Sequence, residues 1–164
     1  MIFDRDGVLN KDTGYVHQWS VDLHSLVFSR NLIRWKKRGY RFIIVTNQSG
    51  IGRKYFTQIQ FKKFQQHFLR YYKRFGISFD GIYYCPHEPS MRCKCRKPSS
   101  ALIKQAIRRH KIDITKSIGI GDKSTDIQAF RNSGIQKTLL VDRPNALLKY
   151  EIKKFNRKKI RPKR

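Results

Sequence analysis

Short apolar runs alternate along the chain with longer stretches in which apolar residues recur at helical spacing, and no other feature limits the fold as strongly. Strand followed by helix, repeated, predicts a parallel sheet covered by helices, because parallel neighbours need a crossover long enough to hold one. The runs read as strands are Ile2 to Phe3, Arg41 to Thr46, Gly81 to Tyr84, Ser117 to Gly121 and Thr138 to Val141, each bounded by turn residues. The expected class is therefore α/β, a Rossmann-like parallel sheet with helices on both faces and no large cap domain. A length of 164 residues suits one domain, assigned to residues 1–148 and followed by a basic tail over 149–164.

Helices are expected near Asn31 to Arg38, Thr57 to Gly76, Ser99 to His110 and Thr125 to Asn132. The second has the clearest start, since the Thr57 hydroxyl can cap the first free amides and Gln60, three residues on, completes a capping box. Phe61, Phe64, Phe68 and Tyr72 share one face of it and read as core.

Apolar runs such as Phe42 to Val45 and Ile118 to Ile120 fall far short of the roughly 18 residues that cross a bilayer, so a cytoplasmic protein with no membrane contact is expected, and the chain is separately read as a monomer. The formal charge of +26 raises the question of a nucleic-acid partner, since clustered cations gain affinity by displacing counterions from phosphates. Lys and Arg are instead spread over every predicted helix and the tail, which reads as composition rather than a binding surface. The alternative, a basic nucleic-acid-binding domain on the same fold, lacks a localised basic and aromatic stacking face.

Reactive residues collect where the predicted strands end. Phe3-Asp4-Arg5-Asp6-Gly7-Val8 sets two carboxylates two residues apart where a strand gives way to a glycine turn. The second strand runs into Thr46-Asn47-Gln48-Ser49-Gly50, and the fourth into Gly121-Asp122-Lys123 with Asp126 four residues beyond Asp122. Between them lies Cys95-Arg96-Lys97-Pro98. Strand carboxyl ends border the ligand crevice of an open α/β sheet, so these groups are expected to converge there. Each alone is an ordinary turn; four in this order are harder to assign to chance.

This order resembles the haloacid dehalogenase superfamily of phosphatases over essentially the whole chain. The resemblance implies a magnesium-dependent phosphatase with Asp4 as nucleophile. A carboxylate nucleophile divides one hard displacement into two easier ones through an acyl phosphate. Asp6 would protonate the leaving group and then deprotonate water, a task suited to a carboxyl whose pKa its neighbours raise. Mg²⁺ would bind Asp4, Asp122 and the Asp6 carbonyl, Thr46 would donate to phosphoryl oxygens and Lys97 would neutralise their charge. Asp126 could join the site or simply start a helix, and is read as structural.

All three cysteines sit in one segment, Cys85-Pro86-His87 and Cys93-Lys94-Cys95. A Cys₃His set saturates tetrahedral zinc and leaves no open position, so a structural Zn²⁺ is expected in a loop spanning 85–95, ending directly at Arg96 and Lys97. His17, His24, His67 and His110 show no ligand pattern and read as packing or surface residues.

The zinc loop together with Asp4-Arg5-Asp6-Gly7-Val8, Gly14-Tyr15-Val16-His17 and Thr46-Asn47-Gln48-Ser49-Gly50-Ile51 is similar to the D-glycero-D-manno-heptose-1,7-bisphosphate 7-phosphatase family. That resemblance implies a phosphorylated sugar substrate, a role in making the nucleotide-activated heptose of the lipopolysaccharide core, and substrate contacts at Asp12, Thr13, Gly14, Tyr15, Thr46, Asn47, Gln48, Ser49, Arg96, Lys97 and Lys123. It also sets Arg53 and Lys54 near the pocket mouth. Histidinol-phosphate phosphatases share the aspartates, the zinc loop and the lysine, and are the alternative.

Overall fold

The computed structural model describes residues 1–24 and 26–141, so the basic tail expected at 149–164 lies outside the described residues. In chain order the elements are β1 (Ile2–Phe3), α1 (Leu26–Lys37), β2 (Ile43–Asn47), α2 (Ser49–Gly52), α3 (Gln58–Lys73), β3 (Gly81–Cys85), α4 (Ala101–His110), β4 (Gly119–Gly121), α5 (Ser124–Asn132) and β5 (Thr138–Leu140). The strands form one sheet in the order β3-β2-β1-β4-β5, and every pairing is parallel. Among the described residues no helix is long and apolar enough to cross a membrane.

Side chains of adjacent strand residues point to opposite faces, and the two cores divide accordingly. Phe3, Phe42 and Ile44 face one core with Leu32 of α1 and Phe64, Phe68 and Tyr72 of α3. Ile2, Ile43 and Val45 face the other, against Ile103 and Ala106 of α4 and Ala129 and Phe130 of α5. Apolar residues on both faces of β1 and β2 are what a sheet covered on each side requires. The stripe Phe61, Phe64, Phe68 and Tyr72 is buried. Thr57 caps α3 in the anticipated box, its hydroxyl accepting from the Gln60 amide and the Gln60 side chain accepting from the Thr57 amide.

Two differences from expectation stand out, one at an element end and one a whole short helix. The first helix begins at Leu26 rather than near Asn31, and the short α2, directly after β2, was not foreseen. Four residues carry little periodicity, which explains that omission. Topology then locates the site. From β1 the chain winds outward to β2 and β3, and then crosses to β4 and β5 on the other side, so the winding reverses between β1 and β4. At such a switch point the loops diverge and open a crevice at the strand carboxyl ends.

Candidate functional site

A cavity of about 460 Å³ opens there, lined by residues that include Asp4, Asp6, Thr46, Gln48, Arg96, Lys97, Lys123 and Asp126. Asp4 follows β1, Thr46 lies in β2 and Asp122 follows β4. Lys97 arrives from the loop after β3. Its ammonium donates to Asp4 Oδ1 at 2.5 Å and to the Val45 carbonyl at 2.8 Å, and pairs with Asp126 Oδ1 at 2.7 Å. Asn47 pins the backbone of Lys97 from both sides, accepting from its amide at 3.1 Å and donating to its carbonyl at 3.2 Å.

Asp126 takes both of the roles open to it, the structural one and a place at the site. It does start α5 as an acid, accepting from the Lys123 amide at 3.0 Å, but it is also buried, lines the cavity and is a counter-ion of Lys97. A carboxylate has two oxygens, so capping with one leaves the other for the site.

Lys97 carries one charge between two buried carboxylates. Burial opposes that charge, but Asp4 and Asp126 outweigh it and hold the ammonium protonated. Asp4 is pushed up to about 7, first by burial and then by the like charge of Asp126 and Asp6, with Lys97 opposing. Asp122 is pushed up to about 6, chiefly by burial. Carboxylate oxygens of Asp4, Asp122 and Asp126 lie within 4.8 Å of one another, and buried Asp122 Oδ1 has no hydrogen-bond partner. Crowded, charge-deficient oxygen donors suit a hard divalent cation.

Asp6 departs from expectation in the opposite direction. Burial pushes its carboxyl up, but the Arg5 guanidinium and hydrogen bonds from Arg5, Asn10 and Gln48 bring it below its ordinary value. The like charge of Asp4 is outweighed because Arg5 meets Asp6 in a two-point fork at 3.0 and 2.8 Å. Gln48 bridges Asp6 Oδ2 at 2.8 Å and Thr46 Oγ1 at 2.9 Å; the Thr46 hydroxyl accepts there, which leaves its own hydrogen for the cavity.

The other anticipated residues divide. Asp12, Gly14, Tyr15, Asn47 and Ser49 line the cavity, whereas Thr13 does not. Lys123 pairs with Asp12 at 3.1 Å. Arg53 and Lys54 are not among the lining residues, and Arg53 pairs with Glu88 at 3.7 Å. Phe56, Gly50, Pro98 and Thr125 line the cavity without having been foreseen, since nothing in their residue types marks chemistry.

Cys85, His87, Cys93 and Cys95 converge beside the cavity and could hold a metal ion. The thiol sulfurs lie 2.9, 3.4 and 3.5 Å apart, and His87 Nδ1 is 3.2 Å from Cys95 Sγ and 3.7 Å from Cys85 Sγ. A tetrahedron with zinc–sulfur bonds of about 2.3 Å has edges of about 3.8 Å, and the separations in this set fall below that length. All three cysteines are free, and the loop hands its end to Arg96, whose guanidinium donates to the His87 carbonyl at 3.3 Å. The remaining histidines pack: His24 stacks on Tyr71, His17 on Phe56 and His67 on Trp19, while His110 meets the Tyr83 hydroxyl.

The HAD-hydrolase-like family model matches residues 94–154. The chain is 46% identical over 125 residues to a probable D-glycero-D-manno-heptose-1,7-bisphosphate 7-phosphatase of Thermoplasma volcanium, covering 76% of this chain and 85% of that protein. It is 39% identical over 143 residues to the D-glycero-beta-D-manno-heptose-1,7-bisphosphate 7-phosphatase of Helicobacter pylori, covering 86% and 82%. Among solved structures, D,D-heptose 1,7-bisphosphate phosphatase from B. bronchiseptica, complexed with magnesium and phosphate, aligns with a TM-score of 0.80 at 28% identity over 90% of this chain and 82% of that one.

The Lys97 triad predicts its own mutational signature. Lys97→Met strands two buried carboxylates without a counter-ion, and breaking a buried pair in this way costs about 3 kcal/mol. Urea denaturation at neutral pH should show that loss, and an unchanged midpoint would mean that the triad contributes nothing net to the fold.

Proposed function

The chain belongs to the family of D-glycero-D-manno-heptose-1,7-bisphosphate 7-phosphatases, and from that membership we propose that it removes the 7-phosphate of D-glycero-D-manno-heptose 1,7-bisphosphate through a phosphorylated Asp4. It is a phosphatase of the haloacid-dehalogenase-like type. The proposal extends to magnesium in the carboxylate cluster, zinc in the Cys₃His cluster and a place in lipopolysaccharide-core heptose synthesis. The observation that carries it is Asp4 at the cavity with Lys97 on one oxygen and the partnerless Asp122 Oδ1 in the same cluster.

Asp4 attacks phosphorus as the ester P–O bond breaks, and the departing alkoxide takes a proton from Asp6. An approaching phosphate dianion raises the proton affinity of Asp6 by like charge, which offsets the pull of Arg5. Asp6, then ionised, takes a proton from water as that water attacks the acyl phosphate and frees Asp4 and inorganic phosphate. Lys97 and the Thr46 hydroxyl support the charge spread over the phosphoryl oxygens. Bound magnesium supplies neutralisation of the negative charge that nucleophile and phosphate share.

Arg96 and Lys123 line the cavity, and such cations favour a second phosphate over the cationic tail of histidinol phosphate. The wild-type protein should show higher kcat/KM on the heptose bisphosphate than on histidinol phosphate, and Asp4→Asn should lose turnover by several orders of magnitude while keeping its fold. A preference for histidinol phosphate would overturn the substrate, and near-normal turnover in Asp4→Asn would overturn the nucleophile.

Magnesium binding should follow the titration of its ligands. The folded-state values of Asp4 and Asp122 lie above the ordinary 3.8, at about 7 and about 6, so the metal-free fold loses stability as pH rises through that interval. A cation removes that loss, and below the interval it must displace protons to bind. The rise in Tm caused by millimolar Mg²⁺ should therefore be a few degrees larger at pH 8 than at pH 5; equal shifts would exclude these carboxylates as ligands.

The Cys₃His cluster should yield about one equivalent of zinc on elemental analysis, and Cys93→Ser should lower both zinc content and Tm, because metal binding is coupled to folding. A zinc-free protein of undiminished stability would refute the assignment.

A further inference from the structure

Arg5 is fully buried, and it lies between the two reactive aspartates without lining the cavity. Burying a guanidinium is expensive unless its donors are met, and here each of its three nitrogens meets an acceptor. Nε and Nη2 donate to Asp6 Oδ1 at 3.0 Å and Oδ2 at 2.8 Å, Nη1 donates to Gln65 Oε1 at 2.8 Å, and Nη2 also reaches the Val16 carbonyl at 2.9 Å and Gln48 Oε1 at 3.1 Å. The guanidinium carbon lies over the Phe64 ring at 4.6 Å and 5.4 Å from the centre of Phe61.

These contacts tie three parts of the molecule to one carboxylate. Gln65, Phe61 and Phe64 belong to α3, Val16 to the loop that carries Gly14 and Tyr15, and Gln48 to the turn after β2. A fork onto a carboxylate fixes its plane as well as its position, because both N–H bonds must stay aligned. Asn10 and Gln48 each add one further donor to Asp6, at 2.8 Å in both cases, but neither constrains both oxygens. Among the described residues Arg5 does so, and Gln65 of α3, the Val16 carbonyl and Gln48 hold it in place.

We propose that Arg5, held by Gln65 of α3, is the positioning residue that orients the Asp6 carboxyl for proton transfer to the leaving group. The inference rests on the reading of Asp6 as acid/base. Proton transfer requires the carboxyl oxygen within hydrogen-bond reach of the ester oxygen, and small misplacements there are costly. Arg5 touches no reacting atom, so it acts through Asp6. Gln65 acts one step further out, by supplying the acceptor that keeps the guanidinium turned toward Asp6.

The test uses kcat/KM, which reports the steps through transfer to Asp4, on two esters: a sugar phosphate, whose alkoxide must be protonated, and 4-nitrophenyl phosphate, whose phenolate leaves without help. Arg5→Met should lower kcat/KM on the sugar phosphate about 100-fold, the lower range of a general-acid contribution, and on the nitrophenyl ester less than about threefold. Gln65→Met, which removes only the acceptor, should give the same imbalance at about fivefold, with circular dichroism and Tm near wild type. Arg5→Lys should not restore the sugar phosphate, since an ammonium cannot form the fork. Equal losses on both esters, or no loss in folded variants, would overturn the positioning role; if Arg5→Met does not fold, Gln65→Met decides by the same criterion. Asp6→Asn measured alongside separates the two ideas. A leaving-group imbalance in Asp6→Asn that is missing from the Arg5 and Gln65 variants rejects positioning alone, whereas its absence from Asp6→Asn rejects the acid role and the inference built on it.

Discussion

The buried ammonium of Lys97 is the interaction on which the rest of the site depends. It binds the residue after β1, a carbonyl of β2 and a carboxylate of α5, so one side chain joins three elements around the switch point of the sheet. A single positive charge faces two buried carboxylates and the neighbouring Asp122, a deficit that adds to burial in raising the proton affinity of Asp4 and Asp122. The deficit that makes the cluster unfavourable by itself gives it affinity for a cation and for the phosphate oxygens a cation brings. Stability and function are in tension at this point, and the surrounding core of apolar residues holds the arrangement together.

Asp4 and Asp6 are two residues apart and have opposite proton affinities. The difference follows from what each faces. Asp4 meets one lysine that it shares with Asp126, while Asp6 has a guanidinium fork to itself and amide donors from Asn10 and Gln48. Asp4 leaves β1 onto Lys97 at the cavity, whereas Asp6 lies in the turn beyond, among Arg5, Asn10 and Gln48, so the separation comes from these different packing environments and not from strand alternation. Arg5, between them in sequence, is turned down into the α3 core, where aromatic rings and Gln65 receive it.

The cysteine loop offers a second example of local chemistry serving the site. It leaves β3 at Cys85, gathers its thiols and imidazole, and delivers Arg96 and Lys97 to the cavity. The turn after β2 leans on it: the Gln48 amide donates to the Cys85 carbonyl at 2.7 Å and the Gly52 amide to the Pro86 carbonyl at 2.8 Å. A Cβ at Gly52 would stand 2.9 Å from both the Pro86 carbonyl oxygen and the Glu88 nitrogen, so the approach needs glycine. Arg53, expected at the pocket mouth, is occupied on Glu88 of this loop instead.

By itself the sequence determined the alternation of strands and helices, the five strands, the capping box at Thr57 and the aromatic stripe of α3, and it marked Asp4, Asp6, Thr46, Lys97 and Asp122 as candidates. These were legible because periodicity, capping and reactive residue types at strand ends are local properties. Tertiary structure decided which partner each charged group meets. That Asp126 both caps a helix and holds Lys97, that Arg5 turns inward onto Asp6 and Gln65, and that Asp6 is held low rather than high all depend on contacts between residues far apart in the chain. A pKa is set by burial and by the nearest charges in space, and sequence distance specifies neither, so the chemistry of each carboxylate is fixed only when the sheet brings its neighbours together.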